Sequence, residues 1–127
     1  MSCHISGSDY GLPACSEPWP GQSEFTKQLL AIEDVIDLRP CPIPYMESAV
    51  ARHKDVCPVI DCGKEFTHAE YLDARQSVAW PAFFGSHCVT EHNVQPSREF
   101  YNYVMAFDQA KLQQVLDKAK ATATDSH

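Results

Sequence analysis

The sequence predicts a mainly α domain of the α+β class, with three to four helices around a short, irregular β-hairpin or knuckle in the middle. Three observations point there. Apolar residues recur at helical spacing in 23–38 and again in 97–121. Three prolines, Pro40, Pro42 and Pro44, separate the first helical stretch from the centre of the chain. In that centre Cys57 and Cys62 flank a turn that ends in Gly63. With 127 residues there is room for one domain and not two. Its expected limits are 23–121, after an irregular arm (1–22) and before a short tail (122–127).

The arm is rich in Ser, Gly and Pro and has no periodicity. Trp19, between Pro18 and Pro20, lies in an extended segment whose ring is free to cover the body or a partner. In "SEFTKQLLAIEDVIDL" Ser23 is the expected N-cap, with Glu24 in the first turn. Phe25, Leu29, Ile32, Val35 and Ile36 fall on one face, and Glu33, Asp34 and Asp37 read as a solvated one. "RPCPIP" then favours an extended run. "YMESAVARHK" reads as a short helix and "VCPVIDCGKEF" as a turn in a hairpin. "THAEYLDARQSVAW" reads as another helix, with Thr67 and Glu70 as a capping box and Pro81 at its end. "HCVTEHNV" has no helical period and reads as a short strand. The last helix, "SREFYNYVMAFDQAKLQQVLDKAKA", is capped by Ser97, bends near Phe107–Asp108 and carries Lys118 and Lys120 in its last turns.

Hydrophobic residues make up 44 % and charged residues 21 %, the composition of a folded globular chain. Net charge is −7, and the first 50 residues hold seven acids against two bases. The bases form no stripe, so phosphate neutralisation is poorly served and a nucleic-acid partner is unlikely on charge alone. No apolar run reaches the roughly 18–20 residues of a membrane span, and the N-terminus has neither the basic nor the apolar segment of a signal peptide. The expected location is cytoplasmic. Six cysteines is then a high count, and in a reducing compartment metal binding gains weight over disulfides.

The thiols and imidazoles concentrate between Cys57 and His92. Structural zinc takes four tetrahedral ligands from thiolate and imidazole. The preferred set is Cys57, Cys62, His87 and His92, with Cys88 as the alternate for His87. His68, at the opening of the expected helix, ranks lower. A second site from Cys3, His4 and Cys15 ranks lower still. The competing reading, plain buried thiols and ordinary histidines, carries at least equal weight, since free Cys packs as a small apolar group.

"CPVIDCGKEF" resembles one knuckle of a zinc ribbon or treble-clef site, in which an aromatic packs beneath the metal. It also resembles the opening of a Cys2His2 finger. The resemblance covers about ten residues, and the rest departs from it. There is no second Cys knuckle, and His87 and His92 follow Cys62 at twice the spacing a finger uses. The resemblance implies the chemistry of a knuckle and no particular family.

Chain motifs for phosphate loops, dinucleotide binding, serine elbows and thioredoxin-type C-x-x-C are absent from the sequence. In "EFYNYVMAF" Phe100, Val104 and Phe107 share a core-facing stripe. Tyr101, Tyr103 and Met105 are the members expected at a partner surface. The sequence therefore predicts a small non-enzymatic protein that binds another protein, in an adaptor, regulatory or inhibitor role, with a structural zinc ion. Its partners exclude membranes, and a homo-oligomer is compatible with it. The alternatives are a nucleic-acid-associated zinc module and a cysteine-dependent enzyme using Cys88.

Overall fold

The computed structural model describes residues 17–38, 41–57, 59 and 62–125, with side chains to residue 121. Cys3, His4 and Cys15 lie outside the described residues, as do most of the arm, the Arg39–Pro40 step and the last two residues of the tail. The described chain runs α1 (Gln22–Ile36), β1 (Met46–Val56), β2 (Glu65–Asp73), β3 (Val78–Pro81), a π-helix (Phe84–Val89), one α-helical turn α2 (Thr90–His92), α3 (Arg98–Met105) and α4 (Gln109–Asp125). The strands form an antiparallel meander in the order β1-β2-β3. The fold is thus mixed α+β. The sheet is larger than a knuckle, so "mainly α" overstates the helices. None of the described helices is long and apolar enough to cross a membrane.

Helix α1 follows its apolar period. Phe25, Leu29, Ile32, Val35 and Ile36 are all fully buried, each removal of such a side chain from water contributing about 1.5–3 kcal/mol. The chain enters the helix through Gly21 at φ 84°, two residues before the Ser23 cap expected. Trp19 lies on the body: its indole N–H donates to the Val94 carbonyl at 3.2 Å, and its ring meets Phe25. Ser97 caps α3, its Oγ accepting from the Phe100 N–H. The expected bend at Phe107–Asp108 is a break between two helices. Gln28 reaches it from α1 and donates to the Phe107 carbonyl at 2.8 Å. Because α4 continues to Asp125, Lys118 and Lys120 do not sit in its last turn.

Two expected helices are strands. "YMESAVARHK" lies in β1, and "THAEYLDARQSVAW" spans β2, a turn and β3. Local propensity favoured helix in both, and tertiary pairing overrides it. Tyr71 and Asp73 are buried two residues apart, at strand period. The Tyr71 ring stacks on Trp80, its partner across the β2–β3 pair, at 5.7 Å. Thr67 and Glu70 therefore cap nothing. Instead, Asp73 Oδ1 accepts the N–H groups of Arg75 and Gln76 and turns the chain into β3.

Of the acids taken for a solvated face, Asp34 and Asp37 are exposed but Glu33 is not. Glu33 is 6 % exposed, and its Oε2 accepts the Trp80 indole N–H at 2.9 Å. Asp37 accepts the Tyr71 hydroxyl at 2.8 Å, and the buried Asp73 accepts that of Tyr103 at 2.7 Å. These three carboxylate–aromatic bonds pin α1 and α3 to the sheet. They also satisfy ring donors that burial would otherwise leave costly.

Candidate metal centre

Strands β1 and β2 pair up to Val56↔Glu65. One more bond, Cys57 N–H to the Lys64 carbonyl at 2.8 Å, extends the ladder and sets Cys57 at the hairpin tip. The turn then closes on itself. The Val59 N–H donates to Cys57 Sγ, and the Cys62 N–H donates to the Val59 carbonyl at 3.2 Å. Gly63 follows in the left-handed region at φ 69°, which a side chain would resist. Both sulfurs thus sit on one tight turn, as the knuckle resemblance implies. Phe66 supplies the aromatic beneath it, stacked on Phe83 at 4.7 Å and against His87 at 4.9 Å.

The histidines arrive on a helix, not on the strand expected for "HCVTEHNV". The segment is π-helical over Phe84–Val89 and α-helical over Thr90–His92. This explains both the missing 3.6-residue period and the spacing of the ligands. In an α-helix residues i and i+5 lie about 140° apart. The wider π turn ends at Val89 and the α turn begins at Thr90, and across that junction the His87 and His92 rings meet, Nε2 to Nε2, at 3.1 Å. Gly85 lets the segment pack closely on α1: a Cβ there would lie 2.8 Å from Leu29 Cδ2.

Cys57, Cys62, His87 and His92 come together, one donor atom from each lying within 4.8 Å of the others. His87 Nε2 is 3.4 Å from Cys62 Sγ and 3.1 Å from His92 Nε2. Zinc–nitrogen bonds of about 2.0–2.1 Å and zinc–sulfur bonds of about 2.3 Å give tetrahedral edges of about 3.3 Å for N···N and about 3.5 Å for N···S. The two distances fall within a few tenths of an ångström of those edges. The residues present therefore fit a metal ion of zinc's size. Cys57 and His87 are buried, and Cys62 and His92 half-buried.

Burial raises the Cys57 thiol and lowers His87, the latter helped by the neighbouring His92 imidazole and the Lys64 ammonium. A neutral imidazole is the form that ligates. Cys88, the alternate ligand, is outside the four-donor group. Its side chain is fully buried, and its S–H donates to Cys57 Sγ. Burial, with Cys57 beside it, pushes its thiol up to about 12. His68 is likewise outside the group, on β2 and bonded to Asp55. Cys41 rests against the Ile43 carbonyl.

Of the residues expected at a partner surface, Met105 is 38 % exposed. Tyr101 is half-buried, stacked on Phe25. Tyr103 is buried, because its hydroxyl reaches inward to Asp73, and so is not the exposed residue expected. Sequence reasoning passed over His53 and Asp55, which join His68 in a second cluster on the β1–β2 hairpin. Their two-residue spacing, H-x-D, is a signal only once the segment is known to be a strand. No protein-family model, curated protein or solved structure matches the chain.

Proposed function

We propose that the protein is a small protein-binding domain whose hairpin tip and π-helix are clamped by one structural zinc ion. The observation that carries the zinc reading is the four-donor cluster, two Sγ and two imidazole nitrogens within 4.8 Å of one another, two of whose separations lie near tetrahedral edges. An S2N2 set is the donor chemistry zinc favours among common divalent ions. Four protein ligands leave no open position for a substrate, so the role is structural. The ion would tie residues 57–62 to residues 87–92 across the whole of β2 and β3. The fully buried Cys88 supports the same conclusion, since a nucleophile needs access.

Elemental analysis of the purified full chain, paired with a thiol titration, tests the zinc reading. One equivalent of zinc per chain is expected, lost in Cys62→Ser and His92→Ala and accompanied by melting of the central region in chelator. A metal-free protein whose melting chelator leaves unchanged overturns it. The binding role draws on the acidic net charge, which suits a basic protein partner, and on exposed Met105 beside Tyr101 on α3. A photo-crosslinker placed at 105 is expected to capture one protein from cell extract, with capture lost in Met105→Glu. Capture of nucleic acid instead would favour a nucleic-acid module.

A further inference from the structure

The hairpin carries a second cluster of metal-ligating side chains, His53 and Asp55 of β1 with His68 of β2. Its placement follows from a bulge. Val50 pairs with Ala69, yet Lys54 pairs with Thr67. Three residues, 51–53, therefore lie opposite the single residue His68. Bulges re-aim side chains and are frequent beside functional sites. Beyond the bulge the ladder runs in step, with Asp55 across from Phe66, and His53, the last residue of the bulge, meets the His68 ring. All four share one face. The two imidazole centroids are 4.4 Å apart, and the Asp55 carboxylate meets both rings. Each of its oxygens meets one ring: Oδ2 is 2.7 Å from His68 Nδ1, and Oδ1 is 3.7 Å from His53 Nε2. Those separations bracket the tetrahedral edge of about 3.3 Å that a zinc-sized ion imposes on nitrogen and oxygen donors.

We propose that His53, Asp55 and His68 form a second, exchangeable site for a divalent transition-metal ion. Two imidazoles and one carboxylate suit Zn2+, Cu2+ or Ni2+ and are poor ligands for Mg2+ and Ca2+, which want oxygen. Three protein donors leave at least one position open. The His53 side chain is 63 % exposed, with Asp55 at 28 % and His68 at 25 %, so the open position faces water. The site differs from the four-donor cluster in having no thiolate and in admitting an outside ligand. Phe66 stands between the two: it is paired with Asp55 in the ladder and packed on His87.

Cobalt(II) titration of the full metal-free chain, followed by absorption, tests the site. A four-donor cluster with two thiolates gives sulfur-to-cobalt charge-transfer bands in the near ultraviolet, whereas a site of two imidazoles and a carboxylate gives none. Two equivalents are expected, only one of them with thiolate bands. His53→Ala and His68→Ala should each weaken the band-free equivalent more than about tenfold, by analogy with the losses seen when outer metal contacts are removed. They should leave the thiolate bands and the melting temperature unchanged. Binding that stops at one thiolate equivalent overturns the proposal. So does a band-free equivalent that survives in the double variant His53→Ala/His68→Ala. A band-free equivalent that depends on both histidines, found without any thiolate bands, supports this site and counts against the four-donor cluster alone.

Discussion

Replacing Glu33 by Gln should stabilise the protein, and increasingly so as pH rises. Burial, then the nearby Asp37 and Asp34 charges, push the Glu33 carboxyl from 4.5 up to about 8, against the opposing bond from Trp80. At neutral pH the folded chain keeps this proton and the unfolded chain releases it. The sign follows from proton counts. Below about pH 4.5 both states are protonated and nothing is lost. Between 4.5 and 8 the folded state holds the extra proton, so stability falls by about 1.4 kcal/mol per pH unit. Above 8 both states are ionised and the loss is complete, at roughly 3–5 kcal/mol. That is a large share of the roughly 5–15 kcal/mol that hold a domain together. Gln keeps an oxygen for the Trp80 indole and cannot ionise. Urea denaturation of both chains from pH 5.5 to 8.5, with zinc buffered, gives the difference in stability at each pH. Effects common to both chains, including proton competition at the metal ligands, cancel in that difference. It should grow by roughly 3 kcal/mol between pH 5.5 and 7.5 and level off above 8. A difference that stays flat across this range would refute a protonated Glu33.

Gly85→Ala should cost about 1–3 kcal/mol, because its methyl enters the space of the fully buried Leu29; thermal melting reads it. Tyr103→Phe removes one hydroxyl donor from the buried Asp73 carboxylate and should cost about 1–3 kcal/mol in urea unfolding, with metal content unchanged. Cys88→Ala should keep one equivalent of zinc while weakening its retention in a chelator competition, since Cys88 donates to Cys57 Sγ without being one of the four donors. Ser97→Ala should cost about 1 kcal/mol through loss of the α3 cap.

The helices that bury a full apolar stripe were legible in the sequence, and so was the turn at Gly63. Phe25, Leu29, Ile32, Val35 and Ile36 sit where their 3.6-residue period puts them. What was not legible was any element whose conformation is decided by its neighbours. Strand β1 is exposed over most of its length, with Met46 its one buried residue, so it buries no apolar face that alternation could mark. Strand β2 is written in helix-forming residues, and its ladder with β1, the stack of Tyr71 on Trp80 and the bond from Tyr103 to Asp73 hold it extended. Glu33 looked solvated because charge is the default reason for polarity on a helix. Nothing local announces that a Trp80 from 47 residues away will claim its carboxylate.

The four candidate ligands could be chosen from sequence although the segment carrying two of them was misassigned, and the reason is physical. Ligand choice depends on residue type and on chain topology, and both survive an error in local conformation. A five-residue separation between His87 and His92 is unfavourable on an α-helix, where i and i+5 lie about 140° apart, and on a strand, where they point to opposite faces. Either regular structure would have split the pair. The pair instead spans a junction, π-helical to Val89 and α-helical from Thr90, and π segments carry poorer hydrogen bonding than an α-helix and concentrate at functional sites. Two Nε2 atoms 3.1 Å apart form a hydrogen bond when one imidazole donates to the other, and a shared metal ion would hold them at a similar separation. In the folded chain the nearest groups are a thiol at 3.4 Å and, past it, a second thiol on the same turn. An ion shared by all four would offset the cost of the π turn, and Gly85, where a Cβ would lie 2.8 Å from Leu29 Cδ2, lets the segment pack close to α1.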